Sequence, residues 1–429
     1  MKTLSIIRQN FKDSVSFFDK INIAVLFFIW GILTQLTDLV VPLLYKFGLN
    51  FQQALMLHFT FFATYFIIAL PAGKVVDKAG YKKGILIGLG LAALGCIIFY
   101  LAAVAESYQG FISALVIIAA GVTLLQISGN GYVVLQSNPA HDASNLTFAQ
   151  SFNSLGRIIT LVMGTYIFFT LSDINPEQLL TMSPDDYKRA QANLIKTPYL
   201  CMFGLIVLSG IAFYMSKLPE FNTKNLPVLV KKTQGTYGNV FEIKHLILGA
   251  MAIFTYVGAE VSIGSYLVQY ISLPGMGYNQ LTESKLYELL LYYWGSSFIG
   301  RVIGGFILRD VSPSRVVSGF ALSAAVCVLV SIMTMGKISV LTILAVGFFN
   351  SILFPSIFSL AIKGLGHYSE EGASVLIASI VGGAILPLIV ISASQWLGLK
   401  ISFIIPVLCY LYVVYYGWWG SRYEAVDSK

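Results

Sequence analysis

Twelve apolar runs, each about 20 residues or longer, follow one another along this chain of 429 residues. About 20 apolar residues is what an α-helix needs to cross the ~30 Å hydrocarbon core of a bilayer. Hydrocarbon offers the backbone no hydrogen-bond partners, so a crossing segment must satisfy its own N–H and C=O groups, and a helix does this internally. Composition agrees. Only 11% of the residues are charged and the mean hydropathy is +0.78, where a water-facing domain carries about 25% charged residues. The chain reads as an all-α polytopic membrane protein whose main surroundings are the lipid bilayer.

The runs lie near 21–45, 51–73, 83–104, 110–136, 146–171 and 198–216, then near 245–271, 286–308, 316–335, 338–362, 373–396 and 401–419. Counted over the intervening segments, eighteen Lys and Arg fall on one side and seven on the other, with Arg157 and Arg301 inside spans. Positive charge in short loops marks the cytoplasmic side, so both termini are expected in the cytoplasm. The net charge of +7 therefore reports loops, and no basic stripe suits a nucleic acid. The first twenty residues show no short apolar core followed by a small-residue cleavage site, so the first span is expected to persist in the mature chain.

Two polar stretches interrupt the pattern. Residues 172–197 read as an outer loop with room for a short amphipathic helix. Residues 217–244, with Pro219 and Pro227, read as a basic cytoplasmic linker. It separates residues 1–216 from 245–429, two six-span halves of the kind internal duplication produces in transporters. Cys96, Cys201, Cys327 and Cys409 all fall in spans without CxxC spacing, which reads as packing thiols and not as a metal site or disulfide.

A signature recurs in the two halves. The second inner loop reads Gly73-Lys-Val-Val-Asp77-Lys-Ala-Gly80-Tyr-Lys82-Lys83, and the eighth span ends Gly300-Arg301-Val-Ile-Gly304-Gly305 before Arg309 and Asp310. Glycine allows helices to approach closely, and an acid flanked by bases can pair across the inner face. Gly73, Asp77, Lys82, Arg301 and Asp310 are accordingly candidates for a cytoplasmic gate. The spacing resembles the loop signature of the major facilitator superfamily, which implies two pseudo-symmetric six-helix bundles, twelve transmembrane helices in all, rocking around a central site.

Charged and amide residues within the spans carry the remaining information, because a charge at mid-bilayer costs about 2.5–3.5 kcal/mol on insertion scales. Gly31, Gln35, Asp38 and Pro42 share one face of the first span. A carboxyl there can load and release a proton, or can reach water at the outer end. The fourth span contains Gln126-Ile-Ser-Gly129-Asn130-Gly131. In the fifth, Gln150, Asn153 and Arg157 line a single face. Amides both donate and accept without fixed charge, which suits a neutral polyol, although they also serve as glue between helices. Glu260 in the seventh span and Asn350 in the tenth add polar groups from the second half. His58, in the second span, reads as a packing residue before a proton relay.

TQLTDLVVP, QISGNGYVVL, NLTFAQSFNSLG, YVGAEVSIGSYLVQY, FFNSILFPSIFSLAIKGLG and IVGGAILPL together resemble the fucose–proton symporter family, over nearly the whole chain. The resemblance implies import of a hexose, 6-deoxyhexose or N-acetylhexosamine with protons. By motif, Asp38 would carry the proton, and Gln35, Gln126, Asn130, Gln150 and Asn153 would line the sugar site, with Asn350 facing them from the other half. Gln126 stands where the fucose branch has glutamate. That favours the glucose/galactose branch, as does the Gly-Ala-Glu around Glu260. Gly129-Asn130-Gly131 replaces the family's Ala-Asn-Pro and is expected to loosen the fourth helix.

Arg157 departs from the family pattern, which has small or neutral residues after SFNSLG. Near mid-membrane it requires an anion. Asp38 or Glu260 can supply one internally, an acidic sugar can supply one from outside, or the side chain can snorkel to the inner surface. Three readings follow: a proton-coupled importer of a neutral monosaccharide, a carrier of sugar acids or other organic anions, and a non-transporting sensor. No P-loop, metal-ligand cluster or catalytic triad is present in the sequence, so an enzyme, a cofactor and ATP-driven pumping are not expected. The short loops suit a bacterial inner membrane, and a monomer is expected.

Overall fold

Helix ends are encoded locally. Asn50 and Gln53 form a reciprocal capping box at the head of the second helix, with bonds of 2.8 and 3.0 Å. The Ser107 hydroxyl accepts from the Gly110 N–H, Pro313 occupies the first turn of the ninth helix, and Gly80 turns the chain between the second and third with φ of 90°. The computed structural model describes residues 17–46, 50–138, 140–170, 184–216, 218, 239–278 and 283–422. Its first half comprises α1 (Phe17–Lys46), α2 (Phe51–Ala79), α3 (Tyr81–Val104), α4 (Tyr108–Gln136), α5 (Asp142–Thr170) and α6 (Pro184–Met215). The second comprises α7 (Lys244–Ile271), α8 (Glu283–Asp310), α9 (Pro313–Met333), α10 (Gly336–Ile362), α11 (Ser369–Leu397) and α12 (Leu399–Gly420).

All twelve expected spans are helices, and the chain is a multi-pass membrane protein of two six-helix bundles. In the first half α1 packs on α5, α2 on α4, and α3 on both α4 and α6. In the second α7 packs on α11 and α12, α8 on α10, and α9 on α10 and α12. Ten of the described helices are long and apolar enough to cross a membrane by length and composition, and α5 and α8 are the two others. These two pack against each other across the halves, so the polarity that weakens their apolar signal is turned into a protein interface.

Three expectations need correction. The sixth helix begins at Pro184, well before 198, and carries Pro198 inside it, so much of the supposed outer loop is helical. Gly129 and Gly131 do not loosen α4, which runs unbroken from Tyr108 to Gln136. At Gly131 a Cβ would stand 2.5 Å from the Tyr81 ring, so the missing side chain makes room for a neighbouring aromatic. Cys201 is exposed on the outer surface of α6, whereas Cys96 and Cys409 are buried as expected. Most of the 217–244 linker and the side chain of His58 lie outside the described residues.

Contacts between the halves gather at the end of the molecule that carries Lys74, Lys78, Lys82, Lys83, Arg309 and Lys363. Here the Ser144 hydroxyl donates to the Gly305 carbonyl at 2.7 Å. A Cβ on Gly73 of α2 would stand 1.8 Å from Ser374 Oγ of α11. Within the first half, α1 and α5 touch through their backbones, since a Cβ on Gly31 would lie 2.1 Å from the Asn153 carbonyl oxygen and one on Gly156 would lie 2.3 Å from that of Phe28. Gly90 on α3 has nothing within 4 Å. Gly31→Val is therefore expected to lower the thermal midpoint of the purified protein by an overpacking cost of about 1–3 kcal/mol or more, while Gly90→Val leaves it nearly unchanged. Equal shifts for the two would contradict this account of the α1–α5 crossing.

Candidate functional site

The glycine-mediated crossing of α1 and α5 sets the geometry of the polar centre. Bringing the two backbones together at Gly31 and Asn153 places the next turn of α1 beside the next turn of α5. Arg157 Nε there donates to Gln35 Oε1 at 3.2 Å, and Nη2 lies 3.7 Å from Asp38 Oδ2. The guanidinium also stacks 3.7 Å from the centre of the Trp294 ring on α8, a cation–π contact reaching the other half. Asp38 is 34% and Arg157 18% exposed, so this pair borders open space. Arg157 thus has an internal anion, and its side chain does not snorkel to the inner surface.

Beneath this pair lies a buried layer of amides. Gln150 Nε2 donates to Asn130 Oδ1 at 2.9 Å. Gln126 hydrogen-bonds the Tyr65 hydroxyl from α2. Asn153 Nδ2 donates to the Phe27 carbonyl at 3.4 Å, tying α5 to α1. In the second half Asn350 Nδ2 donates to Tyr293 Oη at 3.0 Å, and Tyr256 Oη donates to the Asn350 carbonyl at 3.2 Å. Glu260 stands one turn beyond Tyr256, near its hydroxyl and within electrostatic reach of both Arg157 and Arg301. Among the described residues, three buried amide atoms have no hydrogen-bond partner: Asn22 Nδ2 near the start of α1 and, in the polar centre, Asn130 Nδ2 in one half and Asn350 Oδ1 in the other.

Arg301, a gate candidate, is placed away from the inner loop. It lies roughly two and a half turns inside α8 from Asp310, buried at 6% exposure. Nε donates to the Ser351 carbonyl at 3.0 Å, and Nη1 donates to the Gln150 carbonyl at 2.9 Å and to Ser154 Oγ at 2.7 Å. The Ser351 carbonyl is free to accept because the residue four places on is Pro355, which has no N–H, and α10 is interrupted there between Asn350 and Leu353. One guanidinium therefore joins α5 of the first half to α8 and α10 of the second.

The other gate candidates separate. Gly73 sits in the α2–α11 contact. Asp77 lies near Tyr81, whose hydroxyl faces the buried Glu370 of α11. Lys82 does not reach the other half: its Nζ donates to the Ser216 carbonyl at 2.7 Å, capping α6 in the same bundle. Asp310 lines a recess of about 290 Å³ with Asp142, Arg309 and Lys363, and Arg309 stacks over Phe148 and Phe306.

Several partners were not anticipated: Tyr65, Tyr256, Tyr293, Trp294, Ser154 and Ser351. Ser154 is one turn from Gln150 on the polar face of α5, and Pro355 marks the free carbonyl of Ser351, so both had a sequence signal. The aromatics had none, because a packing tyrosine and a site tyrosine look alike in an apolar span.

A bilayer-spanning pair of bundles with a buried polar centre between them is the build of a secondary transporter. The Major Facilitator Superfamily model matches residues 21–387. The glucose/galactose transporter of Brucella abortus is 38% identical over 94% of this chain and 93% of its own length. The L-fucose-proton symporter of Escherichia coli is 31% identical over 92% of each chain. The crystal structure of the transporter FucP in the outward conformation shares the fold with a TM-score of 0.82 at 29% identity, covering 94% of this chain and 98% of that one. The chain belongs to the Major Facilitator Superfamily, in the family of glucose/galactose transporters and the fucose–proton symporter, and is not an enzyme.

A lysine at 301 keeps the charge but cannot span three acceptors held in different directions. Arg301→Lys is expected to cost about 2–3 kcal/mol, the value of one charge-assisted hydrogen bond between buried groups. The thermal midpoint in detergent measures it, and an unchanged midpoint would rule out this bridge between the halves.

Proposed function

We propose that this protein imports a neutral monosaccharide (a hexose, 6-deoxyhexose or N-acetylhexosamine) together with protons, by alternating access. The observation that carries the reading is the pair of unsatisfied amide atoms. The Asn130 donor and the Asn350 acceptor belong to opposite halves, and a sugar hydroxyl both donates and accepts. A buried polar atom without a partner costs about 1–3 kcal/mol, so a ligand that satisfies both also favours closing the halves around itself. The substrates named for the relatives support the same class. Gln35, Gln126, Gln150, Asn153 and Glu260 complete the substrate-facing set on this reading.

Asp38 is the proton carrier, being a carboxylate that borders open space beside the amides. In the proposed cycle the units 1–216 and 245–429, joined by 217–244, rock about the α5–α8 and α2–α11 contacts. The lysine-rich end is cytoplasmic, both termini lie there, and the membrane is a bacterial inner membrane. Contacts between halves gather at that end, so the described conformation faces outward. A reading in which Arg157 captures a sugar acid has less support, because its Nε and one Nη already engage Gln35 and Asp38.

Asp38→Asn is expected to abolish accumulation of labelled hexose driven by a proton gradient in proteoliposomes while leaving hexose-for-hexose exchange active. Sugar added to wild-type proteoliposomes should raise the external pH. Accumulation that survives in Asp38→Asn would remove Asp38 from the coupling step.

A further inference from the structure

The polar centre holds two arginines in different ways. Arg301 is fixed by three hydrogen bonds of 2.7–3.0 Å to groups of α5 and α10. Arg157 has a single hydrogen bond, to Gln35, and an ion pair whose 3.7 Å separation exceeds the ~2.7–2.9 Å of a tight charge-assisted bond. Its remaining contact is the flat face of Trp294, over which a planar guanidinium can slide without losing the cation–π attraction. A second carboxyl group, Glu260 of α7, is within electrostatic reach. Arg157 is thus a loosely held cation with one carboxylate on each side of the gap between the halves.

We infer that Arg157 is the coupling arm of the cycle: it holds Asp38 while that carboxylate is charged and passes to Glu260 when Asp38 takes up a proton. This rests on the proton-coupled reading given above. Protonation removes the only negative charge that α1 presents to the guanidinium. The groups facing the pair from other helices are the hydroxyls of Tyr65 on α2 and Tyr199 on α6. From the second half come Glu260 with Tyr256 on α7, and Arg301 with Tyr293 on α8. Of these only Glu260 carries a carboxyl group, which can balance the guanidinium as it arrives, so it is where the released cation goes. Because Glu260 belongs to the second half and Arg157 to the first, the transfer turns a proton-binding event into an attraction across the gap. Arg157 is a positioning residue in this scheme and does not bind the sugar.

Trp294 reports the arm directly. The purified full-length protein in nanodiscs is titrated with acid while tryptophan emission is followed, and the signal of Trp294 is isolated by subtracting the Trp294→Phe variant. The expected result is a pH-dependent change in Trp294 emission that disappears in Asp38→Asn and in Arg157→Gln. It should move to lower pH in Glu260→Gln, where the proton is added beside a cation that has lost its receiving charge. A flat Trp294 signal in the wild type, or a titration that survives Arg157→Gln, overturns the proposal. In proteoliposomes Arg157→Gln should keep exchange of labelled glucose but lose at least tenfold in gradient-driven accumulation. Loss of exchange in that variant would instead make Arg157 a substrate contact and overturn the arm. If the wild type exchanges no hexose, the sugar reading fails while the emission titration still decides the arm.

Discussion

A buried guanidinium bridges the two halves of this molecule at its centre. Arg301 takes a carbonyl that Pro355 leaves unpaired on α10, a second carbonyl at Gln150, and the hydroxyl of Ser154. A cation in hydrocarbon is costly, and full hydrogen bonding is the usual condition for its survival there. Gln150 is drawn into the same network from its other end, since its side chain donates to Asn130. The amide layer, the break in α10 and the α5–α8 contact are therefore one construction.

The two least apolar helices illustrate how a membrane chain uses polarity. α5 and α8 fall short of the hydropathy expected of a crossing segment, yet they are as long as their neighbours. Association between helices in lipid gains little from burying apolar surface, since lipid tails are as apolar as leucine, so packing and polar contacts must drive it. Arg157, Ser154 and Gln150 on one helix, with Trp294 and Arg301 on the other, supply those contacts. Glycine does the complementary work of letting helices approach closely, at Gly31 against Asn153 and at Gly73 against Ser374.

Much of this was legible in the residues. Apolar runs gave the spans, and helical spacing correctly placed Gln35 with Asp38 on one face of α1, and Gln150, Asn153 and Arg157 on one face of α5. Spacing along one helix says which residues share a face, but not which neighbour they meet or at what depth. That is why Lys82 looked like a gate residue and proves to cap α6, and why Arg301 looked like part of a loop motif and lies well inside its helix. Tyr65 and Trp294 were hidden for a related reason: in a chain rich in aromatics, a ring that stacks on lipid and a ring that stacks on a guanidinium leave the same trace. The early start of α6 was obscured by the polar residues of its first turns, which read as loop.

The four ionisable groups of the centre, Asp38, Glu260, Arg157 and Arg301, are two acids and two bases, so their formal charges cancel. A site with no net charge exchanges no work with the membrane potential when it is carried from one side to the other. One added proton makes the set +1, and moving that charge through a full potential of 100 mV is worth about 2.3 kcal/mol. In a homologous arrangement without the extra arginine, the empty site would carry the charge and the loaded site would be neutral. On the proton-coupled reading, the arginine at 157 therefore decides which half of a transport cycle feels the voltage, and assigns it to the loaded step.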